Sequence, residues 1–404
     1  MFEQNPSKWT PEFFDRMRQM GDPYADKVIA SVYAESQLPA VNKLLASLIR
    51  NDQPVSEELP EKVRQFFEET AVLPPWADKD LIRIGEGLFA EYSLIAFSIL
   101  GCASLPECYS GAIGAKVLNL TGQLEDHINR RIVETFFMVV YALTKGGLGP
   151  KGQGIRTTQK VRMMHASIRH LIMSEETVPA TTSRFFSFAV LLCNTRWNTK
   201  THGYPINQET MGLTYLTFSY VILRSLNKLG VTIEKERENA YFHTWNVIGH
   251  ILGVDETFFC NNMQDAETLW NLILPRLQQA SPEGTRLTDV LMRYMGDQIK
   301  QSSFMGKVMP YRHIPKWLTR ELVGEETADL LGIQWGFGDK VGMWLTAACI
   351  HALGITEKDI YGGLKFGHKV AEWVFRKLAK AEHTRIGDRP SFVIPDQLRQ
   401  QLEE

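Results

Sequence analysis

Apolar residues recur at intervals of three and four along most of this chain, the spacing that lays one side of an α-helix against a core. The pattern predicts helices over residues 9–20, 23–50, 56–70, 79–101, 108–119, 122–145, 157–173, 182–197, 207–229, 233–253, 264–279, 284–302, 324–333, 339–353 and 366–382. No series of alternating apolar and polar positions marks a strand. Breakers punctuate the pattern: Pro74-Pro75 closes one segment and Pro205 opens another. Residues 145–154 carry five glycines, Gly146, Gly147, Gly149, Gly152 and Gly154, and read as a mobile connector between two helices. Their spacing fits neither a P-loop nor a dinucleotide fingerprint, and no strand precedes them. The expected fold class is all-α, with residues 1–404 forming a single large helical domain.

Composition narrows this further. Of the 404 residues, 44% are apolar, enough for a large core, and 22% are charged, close to the globular average. The net charge of -2 supplies no general field for a polyanion, and the basic residues are scattered. No nucleic-acid partner is expected. The five cysteines (Cys102, Cys108, Cys193, Cys260 and Cys349) are odd in number and form no CxxC pair, which fits a reducing compartment. The first residues, Met1-Phe2-Glu3-Gln4-Asn5-Pro6, are neither basic nor apolar, so a cytoplasmic location is expected. The most apolar window, 88–100, is short for a membrane span and is interrupted by Glu91. It reads as a buried core helix, with a peripheral membrane contact left open.

The chemistry concentrates in three segments. In the stretch from Thr157 to His170, a helical wheel puts Val161, Ile168 and Ile172 on one side of His165, and Arg162 and Arg169 on the other. His165 thus lies on a seam between an apolar and a cationic stripe. Such a seam suits an axial ligand of haem iron, since porphyrin is an apolar disc with anionic propionates. Arg162 or Arg169 could pair with a propionate or with a nearby carboxylate. A satisfied structural histidine is the commoner fate of such a residue. His170 points away from His165. On the preceding helix Arg131 and Thr135, four apart, share a face and could address bound dioxygen, or be a surface arginine and a helix-internal threonine. His243 and His250 are two turns apart, about 10 Å, too far to bind one ion together, so a structural role or one supporting another ligand from behind is expected. Gly249 beside them suggests a close approach of another element. There is no HExxH, ExxH or GxSxG.

These segments, taken in order, resemble the latex-clearing protein (rubber oxygenase) and MpaB-type oxygenase family over most of residues 20–260. The blocks that carry the likeness are Gly21-Asp22-Pro23, Arg131 to Thr135, and the set Arg162, His165, Arg169 and His170. Gly203-Tyr204-Pro205-Ile206-Asn207-Gln208-Glu209 and His243 to Gly253 complete it. Residues 261–404 read as a C-terminal helical extension. The resemblance implies a globin-like helical core holding haem b, with His165 as the proximal iron ligand and cofactor-binding residues Arg162, Arg169 and His170 flanking it. It implies Arg131 and Thr135 as distal, catalytic residues. The implied reaction is dioxygen-dependent cleavage of a carbon–carbon double bond in an isoprenoid chain, with a polyprenyl-like or apolar small molecule as substrate.

Two positions depart from the family. Its glutamate base falls, by ungapped counting, on Ala115, and its distal lysine on Glu134. A smaller, intracellular lipid-like substrate is therefore expected. The alternative is a haem-based gas or redox binder without turnover.

Overall fold

The computed structural model describes residues 8–35, 38–120, 125–173, 197–302, 313–342 and 344. Among these residues the regular structure is helical, as expected, with no strand and one isolated antiparallel bridge between Gly111 and Gln278. The first helices begin where local chemistry dictates. Thr10 caps α1 (Pro11–Arg18), its hydroxyl oxygen accepting from Phe13 N at 3.2 Å. Asp22 caps α2 (Pro23–Ala34), accepting from Ala25 N at 3.2 Å. Each helix starts with proline, whose missing N–H costs nothing there. The single helix predicted over 23–50 is two, α2 and α3 (Leu38–Ser47), followed by α4 (Glu61–Glu69).

The predicted helix over 79–101 runs on as α5 (Lys79–Glu91), α6 (Ser93–Ile99), a wider turn over Leu100–Ser104, and α7 (Leu105–Ser110). In the wide turn Leu105 N bonds Leu100 O, five residues back. Pro106 explains it: proline gives no N–H to the Cys102 carbonyl and its ring would crowd that carbonyl, so the helix takes in one extra residue. Residues Ser93–Ser110 are apolar and long enough to cross a membrane, yet 78% of the stretch is buried inside the protein. Its apolar side chains pack in the core, as the sequence suggested for residues 88–100.

Next come α8 (Ala112–Leu120), α9 (Glu125–Leu143) and α10 (Gly154–Met173). The pattern over 207–229 is broken at Ser219, whose hydroxyl donates back to Tyr215 O at 2.8 Å, giving α11 (Gln208–Phe218) and α12 (Tyr220–Lys228). Helix α13 (Lys235–Leu252) stops at Gly253, which adopts φ +83°. Then follow α14 (Met263–Leu277), α15 (Pro282–Ser302), α16 (His313–Val323), which the apolar spacing did not reveal, and α17 (Glu325–Leu330). The helix predicted over 366–382, all but the last residue of that over 182–197, and most of that over 339–353 lie outside the described residues.

One apolar cluster reaches from Trp9 to Ile333, so helices on both sides of residue 260 share a core. A smaller cluster joins α2, α3 and α4 to Met163 and Ala166 of α10. Helix α10 therefore stands between two cores, packed on α2, α9 and α13. The glycine-rich connector between α9 and α10 is stitched down rather than loose. Gly146 N donates to the buried Glu86 carboxylate at 2.9 Å. The Asn51 amide donates to Gly147 O and Gly149 O at 2.8 and 2.6 Å. Those partners come from distant segments, which is why the local sequence did not show them. The connector thus holds α9 and α10 in fixed relation.

Candidate functional site

Helices α7 to α11 line an apolar cleft that opens to solvent. Helix α7 contributes Leu105, Cys108 and Tyr109, and α8 contributes Gly114 and Val117. Helix α11 adds Met211, Leu213 and Phe218. Against this apolar lining stand a few polar groups. Arg131, Glu134 and Thr135 come from one face of α9, and His165 comes from α10.

His165 is the most unusual of them. Its Nδ1 is buried and has no hydrogen-bond partner. Burial, aided by the positive charges of Arg169 and Arg131, pulls the imidazole pKa down to about 3, against the opposing pull of Asp22. The ring is neutral and keeps its lone pair, as a metal ligand must. Because the folded-state value lies below the ordinary 6.5, the unfolded chain takes up a proton that the folded protein refuses. Stability linked to this residue is intact above pH 6.5 and lost as pH falls toward 3. In the metal-free protein the urea midpoint is expected to fall more steeply below pH 6.5 than in His165→Gln. Parallel curves for the two proteins would contradict this account of the buried ring.

Arg131 shows surface only partly, and its guanidinium is pulled below its ordinary value by burial, with Glu134 and Tyr109 opposing. Thr135 turns its hydroxyl inward, Oγ1 donating to Arg131 O at 2.9 Å, and so offers the cleft lone pairs rather than a proton. Glu134, only 9% exposed, places a carboxyl among them.

Sequence reasoning brought Arg131, Thr135 and His165 to the same place, and the structure does join them in one cleft. Arg162, Arg169 and His170 go elsewhere. Arg162 grips Asp22 with Nε and Nη2 at 2.5 and 3.0 Å, and Arg169 Nε donates to Asp26 at 2.7 Å. His170 stacks on Tyr33 at 4.5 Å between centroids. None of the three lines the cleft, so the cofactor contacts expected of them are not what this geometry provides. The carboxylate partner considered for the arginines is the one they find, because Asp22 and Asp26 reach them first. His243 and His250 are structural: His243 Nε2 accepts from Asp78 N at 2.8 Å and His250 Nδ1 pairs with Glu256 at 2.7 Å. A Cβ on Gly249 would lie 2.8 Å from the Phe259 ring, the close approach its position suggested.

Ala115 is fully buried and carries no acid–base group, while Glu107 is buried, bonded to Arg224 at 2.9 Å, and absent from the cleft wall. The side chain of Glu125 is outside the described set. In the sequence Glu134 stands out only as a departure from the family pattern. Its i+3 spacing from Arg131 was the signal that it shares their face.

The donor set fits a particular kind of cofactor. Among the described residues no three His, Cys, Asp or Glu side chains converge to hold a metal ion. A lone neutral imidazole in an apolar cleft suits a metal that brings its own equatorial ligands, as a porphyrin does.

The site is thus an apolar cleft between helices that faces one imidazole, one arginine and one carboxyl. The catalytic-domain model described as "ER-bound oxygenase mpaB/B'/Rubber oxygenase" matches residues 95–352, and this chain belongs to that family, an oxygenase by class. The rubber oxygenase of Streptomyces sp. (strain K30) is 27% identical over 327 residues, covering 80% of this chain and 70% of that one. A solved structure of latex clearing protein LCP in the closed state superposes with a TM-score of 0.67 at 22% identity, covering 88% of this chain and 90% of that chain.

Proposed function

We propose that this enzyme is a haem b-dependent oxygenase that uses dioxygen to cleave a double bond in an apolar, isoprenoid- or lipid-like substrate. The observation that carries the reading is the meeting of a neutral, unpartnered His165 imidazole and the Arg131 guanidinium in one apolar cleft. The family relatives named for rubber cleavage support the substrate class. A catalytic-domain match favours turnover over gas binding alone.

Haem, when bound, supplies the iron at which dioxygen is reduced. His165 would hold it from α10, with a lone pair that burial keeps unprotonated. Arg131 would present a cation to negative charge on oxygen, in a site where little water screens it. Thr135, its hydroxyl tied to Arg131 O, fixes that turn of α9. The apolar walls from α7, α8 and α11 seat a hydrocarbon chain and exclude water.

Arg131→Ala is expected to keep the pigment and lower dioxygen uptake with an unsaturated polyprenoid by about 100-fold. An oxygen electrode measures this. If no alkene supports uptake by the wild-type pigment, the oxygenase reading fails. If Arg131→Ala turns over normally, the role given to the guanidinium fails.

A further inference from the structure

We infer that Asp22 and Asp26 are positioning residues for the His165 imidazole, acting through the two arginines that bracket it. This rests on the reading of His165 as the cofactor's ligand. The two carboxylates stand one turn apart at the start of α2. They are locked to each other and to that helix: Asp22 Oδ1 accepts from Ala25 N, and Asp22 N donates to Asp26 Oδ2 at 3.1 Å. Arg162 and Arg169 stand at i−3 and i+4 from His165. Within a helix already packed on three others, two tethers on either side of the ligand add a local restraint on the rotation and height of the turn that carries it.

Each arginine also reaches a third element. Arg162 Nη1 donates to Ile251 O, and Arg169 Nη1 to Ile206 O, both at 3.3 Å. Ile206 itself and Leu252, the neighbour of Ile251, line the cleft. Thus α2 sets, through one pair of ion pairs, both the ligand helix and two pieces of the wall. Ile206 shows that this wall is held firmly, since it is a β-branched residue at φ +46°. The approach is close. Gly253 at φ +83° lies so near that a Cβ would run into Asp22 Oδ2 and lie 2.5 Å from Arg162 Nε. Side-chain exposures of 12% and 8% for Arg162 and Asp22, and of 2% and 23% for Arg169 and Asp26, place both pairs out of strong solvent screening.

The test removes one pair without leaving a lone buried charge: Asp22→Asn together with Arg162→Met. In metal-free protein carrying ring-labelled histidine, the His165 signal, assigned by its loss in His165→Gln, is expected to broaden or split. The signals of His243 and His250 should stay sharp. In haem-loaded protein, release of haem to a scavenger is expected to quicken by about tenfold. A folded double variant with an unchanged His165 signal and unchanged haem release overturns the inference. If that variant does not fold, Asp26→Glu keeps the charge and displaces it by one methylene. The same shift of the His165 signal is then expected, and its absence is equally decisive. Should the wild-type protein take up no haem, the proposed function falls, and the metal-free measurement still decides this question.

Discussion

His165→Ala is expected to abolish the visible pigment: after haem supplementation the wild-type protein should show a Soret band and the variant none, or a strongly altered one. The size of the effect follows from the donor set. Among the described residues His165 is the only histidine that lines the cleft. His170 is occupied against Tyr33, and His243 and His250 are engaged elsewhere. Burial that keeps the imidazole neutral also makes the loss of its lone pair uncompensated by water. The fold should survive, since Nδ1 makes no hydrogen bond that the protein would miss. Adding free imidazole to His165→Gly should restore part of the band, because the substitution leaves a ring-shaped gap. A full Soret band in His165→Ala would place the ligand elsewhere and end the proposed function in its present form.

The largest expected loss of stability comes from a residue outside the cleft wall. Glu209→Ala is expected to lower the unfolding free energy by about 3 kcal/mol, read from the urea midpoint. Glu209 is fully buried in the first turn of α11, bonded to Arg18 Nε and to Arg276 Nε, each at 2.6 Å. Arg276 also reaches Asp15 at 2.5 Å. One carboxylate therefore joins α1, α11 and α14, and its removal leaves two guanidinium groups facing each other. Those side chains are each 24% exposed, so water relieves part of the cost, which is why the lower part of the range for broken buried pairs applies. Glu209→Gln, which can still accept hydrogen bonds, should lose less. A midpoint unchanged in Glu209→Ala would mean that the arginines find other anions and the cluster does not brace α11.

The sequence by itself determined the helical class, because a 3.6-residue apolar period is a property of neighbouring residues and needs no knowledge of the rest of the chain. It also showed the seam on which His165 lies and the shared face of Arg131 and Thr135. Breaks inside long apolar runs were less visible: Pro106 widens a helix instead of ending it, and Ser219 divides one by a backbone bond of its own hydroxyl.

Only the tertiary structure decided where the polar groups went. Arg162 and Arg169 have the sequence signature of cofactor contacts, yet they meet carboxylates 140 and 143 residues away and turn from the cleft. The glycine connector is fixed by Asn51 and Glu86 from elsewhere, and Glu134 enters the site because its whole helix face does. Periodicity says which side of a helix is buried. Which charge stands opposite, and whether the buried side meets a core or an empty cleft, depends on chain segments that come together only on folding.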